Sequence, residues 1–528
     1  MGRVESEFAA RVAAVRPALS GAYAAAVPGA RAAVLGRLWR SLLHEPLPGV
    51  AASPGHSVQR GQTPGLGPAT VTLADGRVLR GPGRRPHDLG EVPALWLDGE
   101  PYAEPAGLLA ALALPGSARL TEDLANSVAS LALSRANARP RPPRTPEDHE
   151  QGVVDGHPYH PCCRNRPGVS VAEQLAYMPE HRPVVALDLV AVPAAGCLVS
   201  GPWPAALTDG DRLLLPVHPW QSEHVLPDLG LRPHVTGAVP AHPLMSVRTL
   251  APLDGGPHLK TAFSTRMTSD VRDISPGSIR DCVLLSDLLA ALSRRAGGPR
   301  MVRYLAGAAA SVKGEYSADV SVMLREPTSA FAGGGAAVLP VAAVTSDTTG
   351  DPAAWLTAFA RIALPPALRL LTLGAALEAH GQNLLVVLDG HGLPARLAYR
   401  DLADVRLSPA RLARHGVAVP PVSARLLHDD PRVLHAKLFG SLVGTTFGSL
   451  IARFAGGDLD RERGLWRIVR ETARKAFEEL PCNPDVRLDR EALFAPYIMG
   501  KAHLLAQLEG TRSGDNWIKL PNPLFAVM

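Results

Sequence analysis

Residues 156–168, GHPYHPCCRNRPG, bring His157, His160, Cys162, Cys163, Arg164 and Arg166 into one short stretch. These types admit a metal site, a redox pair or an anion site. The spacing argues against zinc, because the two histidines are only three apart, each is followed by proline, and no loop separates a ligand pair from its counterpart. Adjacent cysteines do not bridge each other without strain. Two guanidiniums and two imidazoles on a backbone stiffened by Pro158 and Pro161 suit a carboxylate or a phosphate, which Arg can hold bidentately. The alternative is a proline-rich loop whose arginines pair with nearby acids.

Three further clusters interrupt apolar segments. In LLPVHPWQ, residues 214–221, a strand runs into His218, either a site residue or a histidine satisfied by its own backbone. In residues 245–273 the strand period of two places Ser246 and Arg248 on one strand face, and Lys260 falls on the partner strand across the turn Asp254–Gly256. Arg272 adds another cation, and the set resembles a grip for a polyphosphate. In residues 378–402, Glu378 and Asp401 are hard oxygen ligands, and Gln382 and Asn383 supply amides. A hairpin brings Asp401 back toward His380, an arrangement suited to Mg2+. Asp401 paired with Arg400 or Arg406 is the plainer reading of the same residues.

The elements that must position these groups follow from periodicity. Residues 8–43 read as helix broken near Pro17 and Pro28, a Pro/Gly-rich loop spans 46–68, and TVTLADGRVLR reads as a hairpin about Asp75–Gly76. A helix is expected with Thr121 as its N-cap. RPRPPRTPEDHE, residues 139–150, reads as a linker. Strand patterns then dominate: VVALDLVAV, RLLLPV, LMSVRTL, HLKTAFST and DVSVMLRE. A helix is expected from Trp355 to about His380, then a hairpin turning at Asp389–Gly390, then mainly helix from Arg432. The expected fold class is α+β, with an antiparallel sheet in the middle and a helix-rich C-terminal part. The expected regions are 1–150, 151–350 and 351–528.

The 528 residues suffice for about three domains. A net charge of +5, with arginines interspersed among acids, leaves no nucleic-acid footprint. Glu5 and Glu7 stand where a signal peptide needs an apolar run, and the run Val184–Val192 is too short to span a bilayer, so a cytoplasmic protein without membrane partners is expected. Five cysteines form no disulfide framework. Only six lysines occur, none before position 260, which makes each worth inspecting.

In this order the clusters resemble the IucA/IucC family of NRPS-independent siderophore synthetases, over about residues 156–523. GHPYHPCCRNRPG looks like the family's His-Pro-x-His-Pro segment, LLPVHPWQ like its second motif, SVRTL with Lys260 and Arg272 like its phosphate-binding core, EAHGQN with RDL like its nucleotide and metal site, and PNPLF like its closing segment. The resemblance implies a multi-domain cupped hand of thumb (1–150), fingers (151–350) and palm (351–528), a homodimer in many members, and ATP and Mg2+ as cofactors. It implies adenylation of citrate or a related acid with release of pyrophosphate, followed by attack of an amine or hydroxyl. By the family pattern Ser246, Arg248, Lys260 and Arg272 would hold the phosphates. His380, Gln382 and Asn383 would line the nucleotide site, Glu378 and Asp401 would carry Mg2+, and His160, with Lys260 and Arg272, would act at the reacting centre. His157, His160, Arg164 and Arg166 would meet the acid. The family usually has Lys where this chain has Arg164, and a planar fork is not a point charge. A small-molecule phosphotransferase and a catalytically weak ATP-binding homologue are the competing readings.

Overall fold

A computed structural model describes residues 2–51, 67–138, 141–268, 270–333, 336–510 and 516–527. Most of the expected loop 46–68 and the start of the expected linker lie outside them. The N-terminal helices Arg3–Val15 and Ser20–His44 pack with Ser117–Ala136 and a four-stranded sheet that begins with the expected hairpin, Pro68–Thr72 against Val78–Pro82. The second helix runs through Pro28 instead of breaking there. Pro28 and Ala24, whose carbonyl loses its helical donor, are both exposed, so the lost bond falls on the solvent side of the helix. The helix expected to start at Thr121 starts at Ser117, after Gly116 at φ 81°. A side chain at Gly116 would run into the Leu508 carbonyl, 2.1 Å from an ideal Cβ, so glycine permits a close approach of two distant segments.

The middle of the chain builds an antiparallel nine-stranded sheet in the order 197–200, 304–312, 315–325, 258–261, 249–252, 235–243, 185–193, 212–217, 208–209. Lys260 pairs with Thr249 across the expected turn. Ser246 and Arg248, however, do not share a strand face. The strand begins only at Thr249, and Val247 sits at φ 68° in a tight turn closed by its N–H to the Leu244 carbonyl.

The helix expected to reach His380 is Pro352–Leu373, ended by Gly374 at φ 105°. The left-handed cap is open to glycine alone, since a Cβ would meet Arg411 and the Ser408 carbonyl. Glu378–His380 therefore lies in a loop, and the expected hairpin follows as Leu384–Leu388 against Pro394–Tyr399. Helices Pro431–Phe439, Leu459–Glu478 and Pro484–Leu493 and a hairpin, Tyr497–Lys501 with Trp517–Pro521, complete the C-terminal part. Among the described residues two helical stretches, Pro352–Leu373 and Pro431–Ala455, are long and apolar enough to cross a bilayer, and most of each is buried in the molecule. One apolar core holds residues from 274 to 524, and a second holds the N-terminal helices together with Cys162, Cys163, Leu504 and Leu508. The chain crosses between the two cores at residues 502–504, where Ala502 belongs to one and Leu504 to the other.

Candidate active site

His157, His160 and His218, each followed by proline, make the same local structure. Proline has no N–H, so the histidine ring caps the next available one. Nδ1 of His157 accepts from the Tyr159 N–H at 3.2 Å, Nδ1 of His160 from the Cys162 N–H at 3.0 Å, and Nδ1 of His218 from the Trp220 N–H at 3.1 Å. A backbone N–H only donates, so in the neutral rings the proton is on Nε2. Burial, then Lys501 and Arg272, bring the His160 pKa down to about 3, and burial alone brings His218 to about 3. Nε2 of His160 is buried and finds no partner among the described residues. It is a donor with an unfilled bond, in a field set by Lys501, Arg272 and Arg266 against Asp270.

The two arginines of the same loop are already engaged. Arg166 donates to Glu180 at 2.6 Å and Gln174 at 3.2 Å. Arg164 donates to the Val153 and Val154 carbonyls and lies 3.7 Å from Glu180. Glu180 is raised by burial but more strongly lowered by Arg164 and Arg166, and so stays ionised. The pairing of loop arginines with a nearby acid is therefore the arrangement present, in place of a guanidinium pair open to an anion. Cys162 and Cys163 are free, buried thiols in the N-terminal core.

Lys260 lies at the centre of the second group. Its ammonium donates to Asp401 Oδ1 at 2.7 Å and to the Tyr304 hydroxyl at 3.0 Å, and Tyr304 donates to the same Asp401 oxygen at 3.0 Å. Arg325 pairs with that oxygen at 3.4 Å. Burial raises the Asp401 pKa, but Lys260, Arg325 and Arg400 outweigh it and hold the carboxyl well below its usual range. Burial lowers Lys260 despite Asp401. The plainer pairing expected for Asp401, with Arg400 or Arg406, gives way to Lys260. Arg400 instead forms a two-pronged bond with buried Glu150, at 2.6 and 3.0 Å. That bond ends the linker reading for residues 146–150, which form the helix Pro146–Gln151. Arg248 donates to the carbonyls of Arg272 and Asp273, and its pKa is brought to about 10 by burial and by Arg272. Two cations thus lie close together in a desolvated place, where an anion would relieve both.

The loop 378–383 closes the group. The His380 N–H donates to the Glu378 carbonyl and the Asn383 N–H to the His380 carbonyl, Asn383 Nδ2 donates to the Glu378 carbonyl at 3.2 Å, and the Gln382 carbonyl accepts from Arg400 at 3.0 Å. The Glu378 carboxylate meets Lys437 at 3.2 Å and Lys501 at 3.6 Å. Burial raises its pKa, and these lysines lower it further than burial raises it. His380 is lowered by burial, against the pull of Glu378 and Asp401, so both carboxylates act on one ring. The His503 ring lies 4.9 Å from His157 and 5.3 Å from His160, completing a trio of neutral imidazoles in which His160 and His503 are buried and His157 is half-buried.

The structure thus groups Lys260 with Asp401, Arg248 with Arg272, and His380 with Glu378 and Asp401, and the field at His160 joins Arg272 to Lys501. His218 stands apart, packed between Tyr177 and Phe263. Among the described residues the Ser246 hydroxyl makes no hydrogen bond that distinguishes it. Sequence reasoning missed Tyr304, Arg325, Lys437, Lys501 and His503. The lysine count was a usable signal, since Lys260, Lys437 and Lys501, half of the six, lie here.

Residues 146–346 match the IucA / IucC family, and residues 353–516 match a family described as ferric iron reductase FhuF-like transporter. A D-ornithine–citrate ligase of Staphylococcus aureus is 28% identical over 198 residues, 35% of this chain and 30% of that protein, so the chain spans less than a third of that relative's length. Staphyloferrin A synthase of the same organism is 28% identical over 31% of this chain and 28% of its own. The petrobactin biosynthesis protein AsbB of Bacillus anthracis has a similar fold, with TM-score 0.73 at 17% identity over 100% of this chain and 98% of that one. So does the ATP-bound aerobactin synthetase IucA of Klebsiella pneumoniae, with TM-score 0.74 at 19% identity over 94% and 99%.

Proposed function

The chain belongs to the IucA / IucC family, and from that premise we propose that it is an ATP-dependent ligase that adenylates a carboxylate of citrate or a related acid. An amine or hydroxyl then takes the acyl group. In the first step a carboxylate oxygen bonds to the α-phosphorus and pyrophosphate leaves. In the second the nucleophile attacks the acyl carbon, loses its proton, and AMP leaves with the former carboxylate oxygen.

The observation that carries this reading is the orphaned Nε2–H of His160 in a field dominated by Lys501 and Arg272. A fixed neutral donor backed by cations stabilises charge that grows on a phosphoryl or acyl oxygen, without giving up its proton. Arg248, Lys260 and Arg272 hold the phosphates in this account, and His380, Gln382 and Asn383 border the nucleotide. Regions 1–150, 151–350 and 351–528 correspond to thumb, fingers and palm. Glu378 and Asp401 fit Mg2+: both are held ionised among buried groups, and Lys260, Tyr304 and Arg325 all reach one oxygen of Asp401. When bound, the ion would neutralise phosphate charge.

Incubation with MgATP, hydroxylamine and, separately, citrate, 2-oxoglutarate or succinate tests the reading. Pyrophosphate and a hydroxamate formed together with one acid support it. ADP formed in their place would make the protein a phosphotransferase.

A further inference from the structure

The N-terminal region carries no motif, yet it reaches the His-Pro loop through Arg37, Ser127 and Asp123, and the segment 503–505 through Glu45. Glu45 directly follows the helix Ser20–His44 and is 3% exposed. Its carboxylate accepts the backbone N–H groups of His503, Leu504 and Leu505 at 3.1, 2.9 and 2.8 Å. Nothing local requires this, since the residues are 458 to 460 positions apart. The three N–H groups belong to the segment where the chain passes from the C-terminal core to the N-terminal one. On its two sides lie Lys501, which faces Glu378, and Gln507, which accepts from Arg266 at 3.3 Å.

We propose that Glu45 is a positioning residue for the reaction: by fixing the backbone of 503–505 it sets the His503 ring against His157 and His160 and so holds the His160 Nε2–H in line with its target. Two further observations agree. His503 lies 5.3 Å from His160 and 4.9 Å from His157, so its ring packs against both rings of the pair. Glu45 also has a cation on its own helix: Arg40 acts on it and lies over the Tyr159 ring, 4.6 Å from its centroid, within the His-Pro loop itself. Glu45 and Arg40 thus bring the 503–505 segment and the His-Pro loop against a single helix end. An amide in its place offers one acceptor and turns an N–H toward a backbone donor, so Glu45→Gln disrupts the arrangement with no change of volume.

The proposal rests on the ligase reading, and its test separates the two. Glu45→Gln and Glu45→Asp are compared with the unaltered protein for kcat, KM for ATP and hydroxamate formation. The expected result is a kcat about 10- to 100-fold lower in Glu45→Gln, the scale of a misplaced reacting group, with KM for ATP within twofold and partial recovery in Glu45→Asp. Adding Glu45→Gln to His503→Ala produces no further loss, because the first change acts through the second residue. Losses that multiply, or an unchanged kcat, overturn it. A crystal structure of Glu45→Gln gives a readout that needs no turnover. A displaced His503 ring supports the proposal even if the unaltered protein adenylates nothing, and a ring still 5.3 Å from His160 overturns it.

Discussion

Lys260 Nζ sits 2.7 Å from Asp401 Oδ1, across 141 residues of sequence. The pair links the nine-stranded sheet to the hairpin that carries the loop 378–383. Each partner is the other's nearest opposite charge in a desolvated place, so changing either removes the other's closest counter-charge.

Lys260→Met is expected to lose about 3 kcal/mol of transition-state stabilisation, the scale of one oriented donor. It also loses about 3 kcal/mol of stability, because buried Asp401 loses its nearest cation and is left with Tyr304 and the more distant Arg325 and Arg400. Adding Asp401→Asn restores part of the stability and none of the turnover. Chemical unfolding beside kcat/KM checks this, and a double variant no more stable than Lys260→Met alone contradicts the pairing.

Asp401→Asn alone is expected to raise the Mg2+ concentration for half-maximal rate by about tenfold or more, since an amide is a weaker ligand for a hard cation than a carboxylate. A metal titration that overlays the unaltered protein would remove Asp401 from the metal site.

The buried imidazoles predict acid lability that begins well above the carboxylate range. In His157, His160, His218 and His503 the folded-state pKa lies below the unfolded value of about 6.5. Below that pH the unfolded chain takes up protons that the folded chain refuses. The stability is complete above about pH 6.5 and falls as pH drops, by about 1.4 kcal/mol per pH unit for each such ring. For His160 and His218 the fall continues to about pH 3. Unfolding midpoints measured between pH 7 and 5 read the slope, His218→Asn should reduce it by one proton, and a flat profile refutes neutral burial.

Because Nδ1 of His160 is held by the Cys162 N–H, the ring serves as a donor and not as a shuttle. His160→Gln, which can present an N–H in its place, is expected to keep at least tenfold more kcat than His160→Phe. The kcat profile should show no inflection from this ring between pH 5 and 9. An inflection there that disappears in His160→Gln would make His160 an acid or base.

Local pattern made much of this legible. The turn Asp254–Gly256 placed Lys260 correctly on its strand, and the hairpin at Asp389–Gly390 returned Asp401 to the loop 378–383. Failures came where a distant partner or a special backbone angle decides. Ser246 and Arg248 read as one strand face because nothing in LMSVRTL announces Val247 at φ 68°. Arg164 and Arg166 read as open donors because Glu180, which takes them, is remote in pattern though near in sequence. Glu150 read as linker because Arg400 lies 250 residues away. The contact of Glu45 with 503–505 has no local signature at all.

The adenylation claim is tested most directly with an acid labelled with 18O in its carboxylate, incubated with MgATP and hydroxylamine and followed by mass spectrometry of the nucleotide. The account predicts AMP carrying one 18O atom, released together with pyrophosphate and the hydroxamate. Label in inorganic phosphate alongside ADP, or unlabelled AMP, would contradict it.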